Sequence, residues 1–259
     1  MKTKAIMAAM LIACSVNVAN AQTMVVNLAN GSKMEFKTSE VTNVEFKEAE
    51  KKDDKPDNPV IDDGQSANGH EYVDLGLSVK WATCNVGAVY PEDSGDYFAW
   101  GETEPKNRFE WGTYKWCNGS SKSITKYCTN LLCGTVDNKT VLDPKDDAAH
   151  VNWGGDWRMP TKAEQDELRN KCTWELTTQN GVNGYKVTSN INGSSIFLPA
   201  AGYRGSSRPV GVGSSGRYWS SSLYSSNSYN ACYLNFYSDG VDWKDSYRYY
   251  GRSVRAVCP

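Results

Sequence analysis

Short apolar runs, in places alternating with polar residues and repeatedly broken by Gly, Asn and Ser, dominate this chain. Near its start, Met24 to Leu28, then Asn30-Gly31, then Met34 and Phe36 predict two strands around a turn that Asn-Gly favours by tolerating positive φ; Val44 and Phe46 offer a third. From Glu48 to Asn68 the composition turns to Lys, Asp, Pro and Gly without aliphatic periodicity, as in a linker. Beyond it, Tyr185 to Thr188, Ser195 to Leu198, Tyr233 to Tyr237 and Ser253 to Val257 read as short strands. Helix signals are two. Asp143-Pro144 sets an acceptor before a proline suited to the first helical position, and Thr161-Lys162-Ala163-Glu164 is a capping box opening a helix that extends to about Cys172. Few helices among many short strands predict an α+β domain.

The extreme N-terminus has a different pattern. Met1 to Lys4 is basic, Ala5 to Val16 apolar, and Ala19-Asn20-Ala21 fits the small-x-small signal before a peptidase cut at Gln22. A competing reading makes Leu11-Ile12-Ala13-Cys14 a lipobox, with Cys14 acylated as a lipid anchor. Either reading exports the chain to the cell surface or beyond. The expected organisation is a signal peptide over 1–21, a small β-hairpin module over 22–47, a flexible acidic linker over 48–68 and a principal domain over 69–259. A span needs roughly 18 to 20 apolar residues, and this run is too short.

Composition narrows the classes. The 259 residues carry 28 Lys+Arg against 30 Asp+Glu, or 26 against 30 without Lys2 and Lys4. So weak a net charge provides no field for a polyphosphate, which argues against nucleic acid as a partner. Beside Cys14 stand Cys84, Cys117, Cys128, Cys133, Cys172, Cys232 and Cys258. An oxidising compartment permits disulfides, but seven thiols pairing as six leave about a hundred connectivities open. Cys128 and Cys133 lack CxxC spacing, and His70 and His150 are the only histidines, so neither a metal centre nor a cofactor is expected.

Six strings stand in order along the principal domain: Tyr72-Val73-Asp74-Leu75-Gly76-Leu77-Ser78-Val79-Lys80-Trp81-Ala82, Asp96-Tyr97-Phe98-Ala99-Trp100-Gly101-Glu102, Trp153-Gly154-Gly155-Asp156-Trp157-Arg158-Met159-Pro160-Thr161, Phe197-Leu198-Pro199-Ala200-Ala201-Gly202-Tyr203-Arg204, Tyr218-Trp219-Ser220-Ser221-Ser222 and Gly251-Arg252-Ser253-Val254-Arg255. Together they resemble the Fibrobacter succinogenes major paralogous domain, found in exported proteins of Bacteroidota-type bacteria. The resemblance implies a C-type-lectin-like fold with two helices and a twisted antiparallel sheet, related to sulfatase-modifying factors and to diversified receptor-binding proteins. The residues themselves point to Trp81, Trp100, Trp157 and Trp219 as core and corner fillers, with neighbouring glycines letting the backbone turn close to large rings. Arg158, Arg204 and Arg255 are expected in buried networks or at strand edges.

Catalysis finds little support. The formylglycine-generating relatives use a cysteine pair near an Arg-Gly-Gly-Ser block; here Cys232 stands in Asn230-Ala231-Cys232-Tyr233 and that block is absent. Only His150 is placed to act as a base. Glu104-Pro105-Lys106 puts a cation where a calcium-binding lectin needs an oxygen ligand, so calcium-dependent binding is not expected. The informative stretch is Arg217 to Tyr250, where eight tyrosines interleave with Ser, Asn and Asp. Tyr gives broad contact with few torsions to freeze and Ser, Asn and Asp give adaptable hydrogen bonds, the composition of a paratope. A local excess of four positive charges after Ala200 adds attraction for an anionic glycan or acidic protein, provided those arginines are on the surface. The sequence thus predicts a non-catalytic, adhesin-like binding protein for an extracellular glycan or protein. Its candidate contacts are Tyr224, Asn227, Tyr229, Asn230, Asp242, Trp243, Tyr247, Arg248 and Tyr249. The alternatives are an assembly component of the cell envelope and a degenerate sulfatase-modifying enzyme. Oligomeric state is not readable.

Overall fold

The computed structural model describes residues 23–27, 33–37 and 65–259. The expected signal segment, the strand expected around Val44 and Phe46, and most of the expected linker lie outside the described residues. Two units divide the chain, residues 1–59 and 60–259. Of the first, an antiparallel hairpin is described, β1 (Thr23–Asn27) with β2 (Lys33–Lys37), Val25 opposite Glu35, as the Asn30-Gly31 pattern predicts.

The second unit is α+β, with mostly antiparallel strands and two α-helices among the described residues. It begins earlier than residue 69. β3 (Ser66–Ala67) pairs with β4 (His70–Val73), and the Ala67 carbonyl accepts the Trp157 indole N–H at 2.7 Å. The expected linker is therefore corrected at its end: residues 66 to 68 satisfy buried polar groups of the domain, and a solvated spacer does not. β5 (Lys80–Asn85) joins β4 to the C-terminal strand β14 (Arg255–Cys258) in a four-stranded sheet.

One helix begins where its capping box predicts, and the other begins later. α2 (Lys162–Lys171) starts at the expected capping box, Thr161 accepting from the Glu164 amide and the Glu164 carboxylate accepting from that of Thr161. At Asp143-Pro144 only a 3-10 turn forms, and α1 (Ala148–Trp153) starts later, capped by Asp147. α2 leads into β6 (Cys172–Gln179), absent from the predicted strands, which forms a hairpin with β7 (Val182–Ser189). The two-residue turn is Asn180-Gly181, with φ of 47° and 81°, the positive values such a hairpin requires. β8 (Ser195–Pro199) completes this sheet, and β9 (Tyr203–Gly205) with β10 (Arg208–Val210) makes a short ribbon.

The site is carried by a third sheet, β11 (Gly216–Leu223), β12 (Asn230–Tyr237) and β13 (Gly240–Tyr247), in that order, so β13 is its edge. Side chains alternate across a strand, and here the two faces fill two different cores. Trp219, Ala231 and Tyr233 pack with Phe98, Trp100 and Trp157, while Tyr218, Leu234 and Phe236 pack with Trp81, Leu168 and Val257. The four tryptophans expected as core are 0–1 % exposed. Gly216 opposes Phe236 and gives it room: a Cβ there would lie 1.9 Å from the ring. Gly216→Ala should therefore cost about 1–3 kcal/mol through overpacking, read as a lowered urea midpoint.

Candidate functional site

The Tyr-rich stretch does not fold into one surface. On β13 the alternation sets Trp243, Asp245 and Tyr247 on one side of the strand. At one end, Asn227, Tyr229, Asn230 and Tyr247 from the predicted set line an open cavity of about 320 Å³. Asp245, Ser246 and Tyr250 line it as well. Register explains the meeting: Asn230 opposes Tyr247, and the Asn230 amide donates to the Asp245 carboxylate at 2.7 Å. The Asn230 side-chain oxygen is buried without a partner, an acceptor left over at the cavity wall.

Aromatic rings form the cavity's support. Tyr247, 41 % exposed, lies 5.6 Å from Tyr249 and 6.1 Å from Tyr250 in stacked geometry, and 5.8 Å from both Tyr229 and Trp111. Trp111 comes from the opposite side of the sequence and packs edge-on to Tyr249 at 5.0 Å. Such pairs add roughly 0.5–1.5 kcal/mol beyond burial and hold the rings in place. Tyr229 also packs on a cluster of Ile124, Cys128 and Cys133, with Cys117 at its edge. All seven described cysteines are free thiols.

The rest of the predicted set separates from this cavity. Tyr224 and Trp243 pair at 6.4 Å, with the Lys162 ammonium 4.1 Å above the Trp243 ring. Asp242 is held by Lys244 at 3.0 Å and Arg169 at 3.6 Å; the Lys244 hydrogen bond holds its carboxyl below the ordinary carboxylate value. Arg248 must be removed from the set. It is 0 % exposed, donating from Nε to the Tyr114 hydroxyl at 2.8 Å and from Nη1 and Nη2 to the carbonyls of Tyr127, Ser228 and Lys126 at 2.9–3.0 Å. Its alternation with Tyr247 and Tyr249 turns it inward, where it fastens the loops behind the cavity. The expected basic surface shrinks for the same reason. Arg248, Arg252 and Arg255 are all buried, leaving an excess of a single positive charge.

The segment anchored by Arg248 is also tied by charge. Lys126 bonds Asp143 at 2.7 Å and also Asp146, while Lys139 bonds Asp143 at 2.7 Å. These hydrogen bonds, Lys126 first, hold the Asp143 carboxyl down at about 2. Because its folded value lies below the ordinary carboxylate value of about 3.9, the stabilisation is complete above that pH and is lost as pH falls toward 2. Thermal unfolding between pH 5 and 2 should therefore fall more steeply for wild type than for Asp143→Asn. The difference should be about 1 kcal/mol, since a side chain 28 % exposed is partly screened by solvent.

Two other depressions open on the domain. A cleft of about 390 Å³ holds Asp147, His150, Arg158 and Ser221. Asp147 is occupied by the backbone amides of His150 and Met159, His150 Nδ1 faces the Trp157 carbonyl at 3.2 Å, and the Ser221 hydroxyl donates to the Pro160 carbonyl. The three groups are not linked as a relay. A cleft of about 460 Å³ lies between the β6–β7 hairpin and the β12–β13 turn, lined by Leu176, Tyr185, Phe236 and Tyr237. Cys232 is 3 % exposed, and burial pushes its thiol up to about 11, far from a reactive thiolate. No group of three or more His, Cys, Asp or Glu able to hold a metal occurs among the described residues.

Comparison with known proteins adds one match. A family model described as a domain of unknown function, DUF8237, matches residues 151–257, which includes α2 and all three strands of the β11–β13 sheet. No curated protein and no solved structure matches the chain.

Proposed function

We propose that this chain is an exported binding protein whose C-type-lectin-like domain recognises an extracellular glycan or protein, without calcium, at the cavity formed by Asn227, Tyr229, Asn230, Asp245 and Tyr247. One observation carries the reading: a partly exposed, pre-stacked aromatic cluster borders an unmet acceptor, the Asn230 side-chain oxygen, in an open cavity. Flat rings held in place stack on sugar faces or cover a protein loop with little entropy left to lose. The six sequence strings support the lectin-like fold and the export. Against the enzymatic alternative stand the buried, protonated Cys232 and the unlinked His150.

Envelope assembly is the second reading, favoured by Leu131 and Leu132. They are 81 % and 82 % exposed on a loop whose Thr129 bonds Ser228 beside the cavity. An array of host and bacterial glycans and glycoproteins, probed with the full chain, tests the proposal. Saturable binding by a monomeric chain is expected. Absence of any hit together with self-association that grows with concentration, measured by sedimentation, would favour assembly.

A further inference from the structure

Three arginines are completely buried, and the fold treats them differently. Arg248 is saturated as described above. Arg255 donates to Asn85 Oδ1 at 2.9 Å and to the carbonyls of Ala82, Thr83 and Phe197 at 2.7–3.0 Å. Arg252 is equally buried, yet its Nε, Nη1 and Nη2 all lack a hydrogen-bond partner among the described residues. Its guanidinium lies among rings, 3.6 Å from the centroid of Tyr233 and 4.3 Å from that of Trp219, with Tyr203 and Tyr250 at 5.7 and 5.8 Å. Ring faces attract a cation, but they accept nothing in the plane where its five N–H groups point.

The neighbours sharpen the imbalance. A parallel bridge between Tyr218 and Ser253 sets Arg217 beside Arg252, and a bridge between Arg204 and Gly251 brings Tyr203 to Tyr250, edge-on at 5.3 Å. The Arg217 guanidinium lies 4.2 Å over the Tyr203 ring, its Nε also buried and unpartnered, with one bond to the Tyr237 hydroxyl. Like charges set side by side repel. The ion pairs formed by arginine among the described residues involve Arg108, Arg158 and Arg169, and none of the three arginines around Tyr203. Burial, with Arg217 adding to it, brings the Arg252 guanidinium down to about 9, so it is still charged at neutral pH. A buried cation without acceptor or counter-charge costs a fold several kcal/mol, and removing such a group is often neutral or stabilising.

We infer that the partly exposed Arg217, with the buried charge of Arg252 behind it and Tyr203 and Tyr250 framing it, forms a site for an oxyanion group, a sulfate or carboxylate that offsets the charge of both guanidiniums. Tyr250 also lines the aromatic cavity, so the anion site adjoins the surface proposed for recognition. The ligand class that follows is an acidic rather than a neutral glycan; that step rests on the recognition reading, whereas the anion site does not.

Thermal unfolding of the full chain in sodium sulfate or sodium acetate, against sodium chloride at equal ionic strength, tests the site in wild type, Arg252→Met and Arg217→Met. Wild type should show a saturable rise of roughly 5–10 °C at a hundredfold excess over the dissociation constant with one of the two anions. Both variants should lose it, and Arg252→Met in chloride should be at least as stable as wild type. A rise that does not saturate and is shared by all three is general sulfate exclusion and overturns the inference. No rise in wild type with either anion overturns it equally. Should Arg252→Met fail to fold, Arg217→Met decides: a retained saturable rise contradicts the site, and its loss supports it. Tyr247→Ala separates the two readings, because it should keep the anion response while losing affinity for a sulfated oligosaccharide. If that affinity is unchanged, the recognition reading fails and the anion site stands.

Discussion

Arg248→Ala lowers the stability of the domain by about 3–5 kcal/mol, seen as a fall in the urea midpoint with an unchanged slope. The guanidinium donates to four acceptors drawn from three separate segments, the Tyr114 hydroxyl and the carbonyls of Lys126, Tyr127 and Ser228. It also lies 4.8 Å from the Trp100 ring and 5.3 Å from that of Tyr114. Truncation strands those acceptors away from water and leaves a void between the rings, two penalties that act together. Arg248→Lys should rescue little, because one ammonium cannot reproduce a planar fork bonded in several directions. Loss of binding in either variant would be a consequence of loosened loops, which is why Arg248 is a poor probe of recognition despite its place between Tyr247 and Tyr249.

Tyr247→Ala should weaken ligand binding about 30-fold or more while leaving the thermal midpoint close to that of wild type. Its ring touches Trp111, Tyr229, Tyr249 and Tyr250, so it is centred in the aromatic cluster, yet it is 41 % exposed and contributes little to either core. Truncating a central aromatic anchor costs on the order of 2 kcal/mol in known interfaces. Titration calorimetry with a ligand found on the array, beside a melting curve, separates lost contact from lost fold.

Local signals were the ones legible in the sequence. The capping box at Thr161, the β1–β2 hairpin and strands β7, β8, β12 and β14 all follow from chemistry within a few residues. What escaped depended on distant partners. The 3-10 turn at Pro144 gives way to a helix only at Ala148, because Asp147 and not Asp143 caps it. Ser66 and Ala67 look solvated until β4 and Trp157 close on them. In the site, composition located the right stretch but not its facing. The two-residue period sorts Asp245 with Tyr247 and turns Arg248 inward, and Tyr250 enters the cavity beyond the strand. Trp111 carried no signal at all, being brought to the cluster from more than a hundred residues away. Arg252 could not be told from Arg255 by sequence; the carbonyls that meet one and miss the other are set by tertiary packing.

The most direct measurement compares two faces of the same molecule. Full-length wild type, the Tyr229→Ala, Tyr247→Ala double variant and a Leu176→Ala, Tyr237→Ala double variant in the separate 460 Å³ cleft would be tested together for binding to the glycan and glycoprotein array. Binding that disappears in the first variant and persists in the second, with both still folded, is the predicted result. Binding indifferent to Tyr229 and Tyr247 but lost with Leu176 and Tyr237 would contradict the account and move recognition to the other cleft.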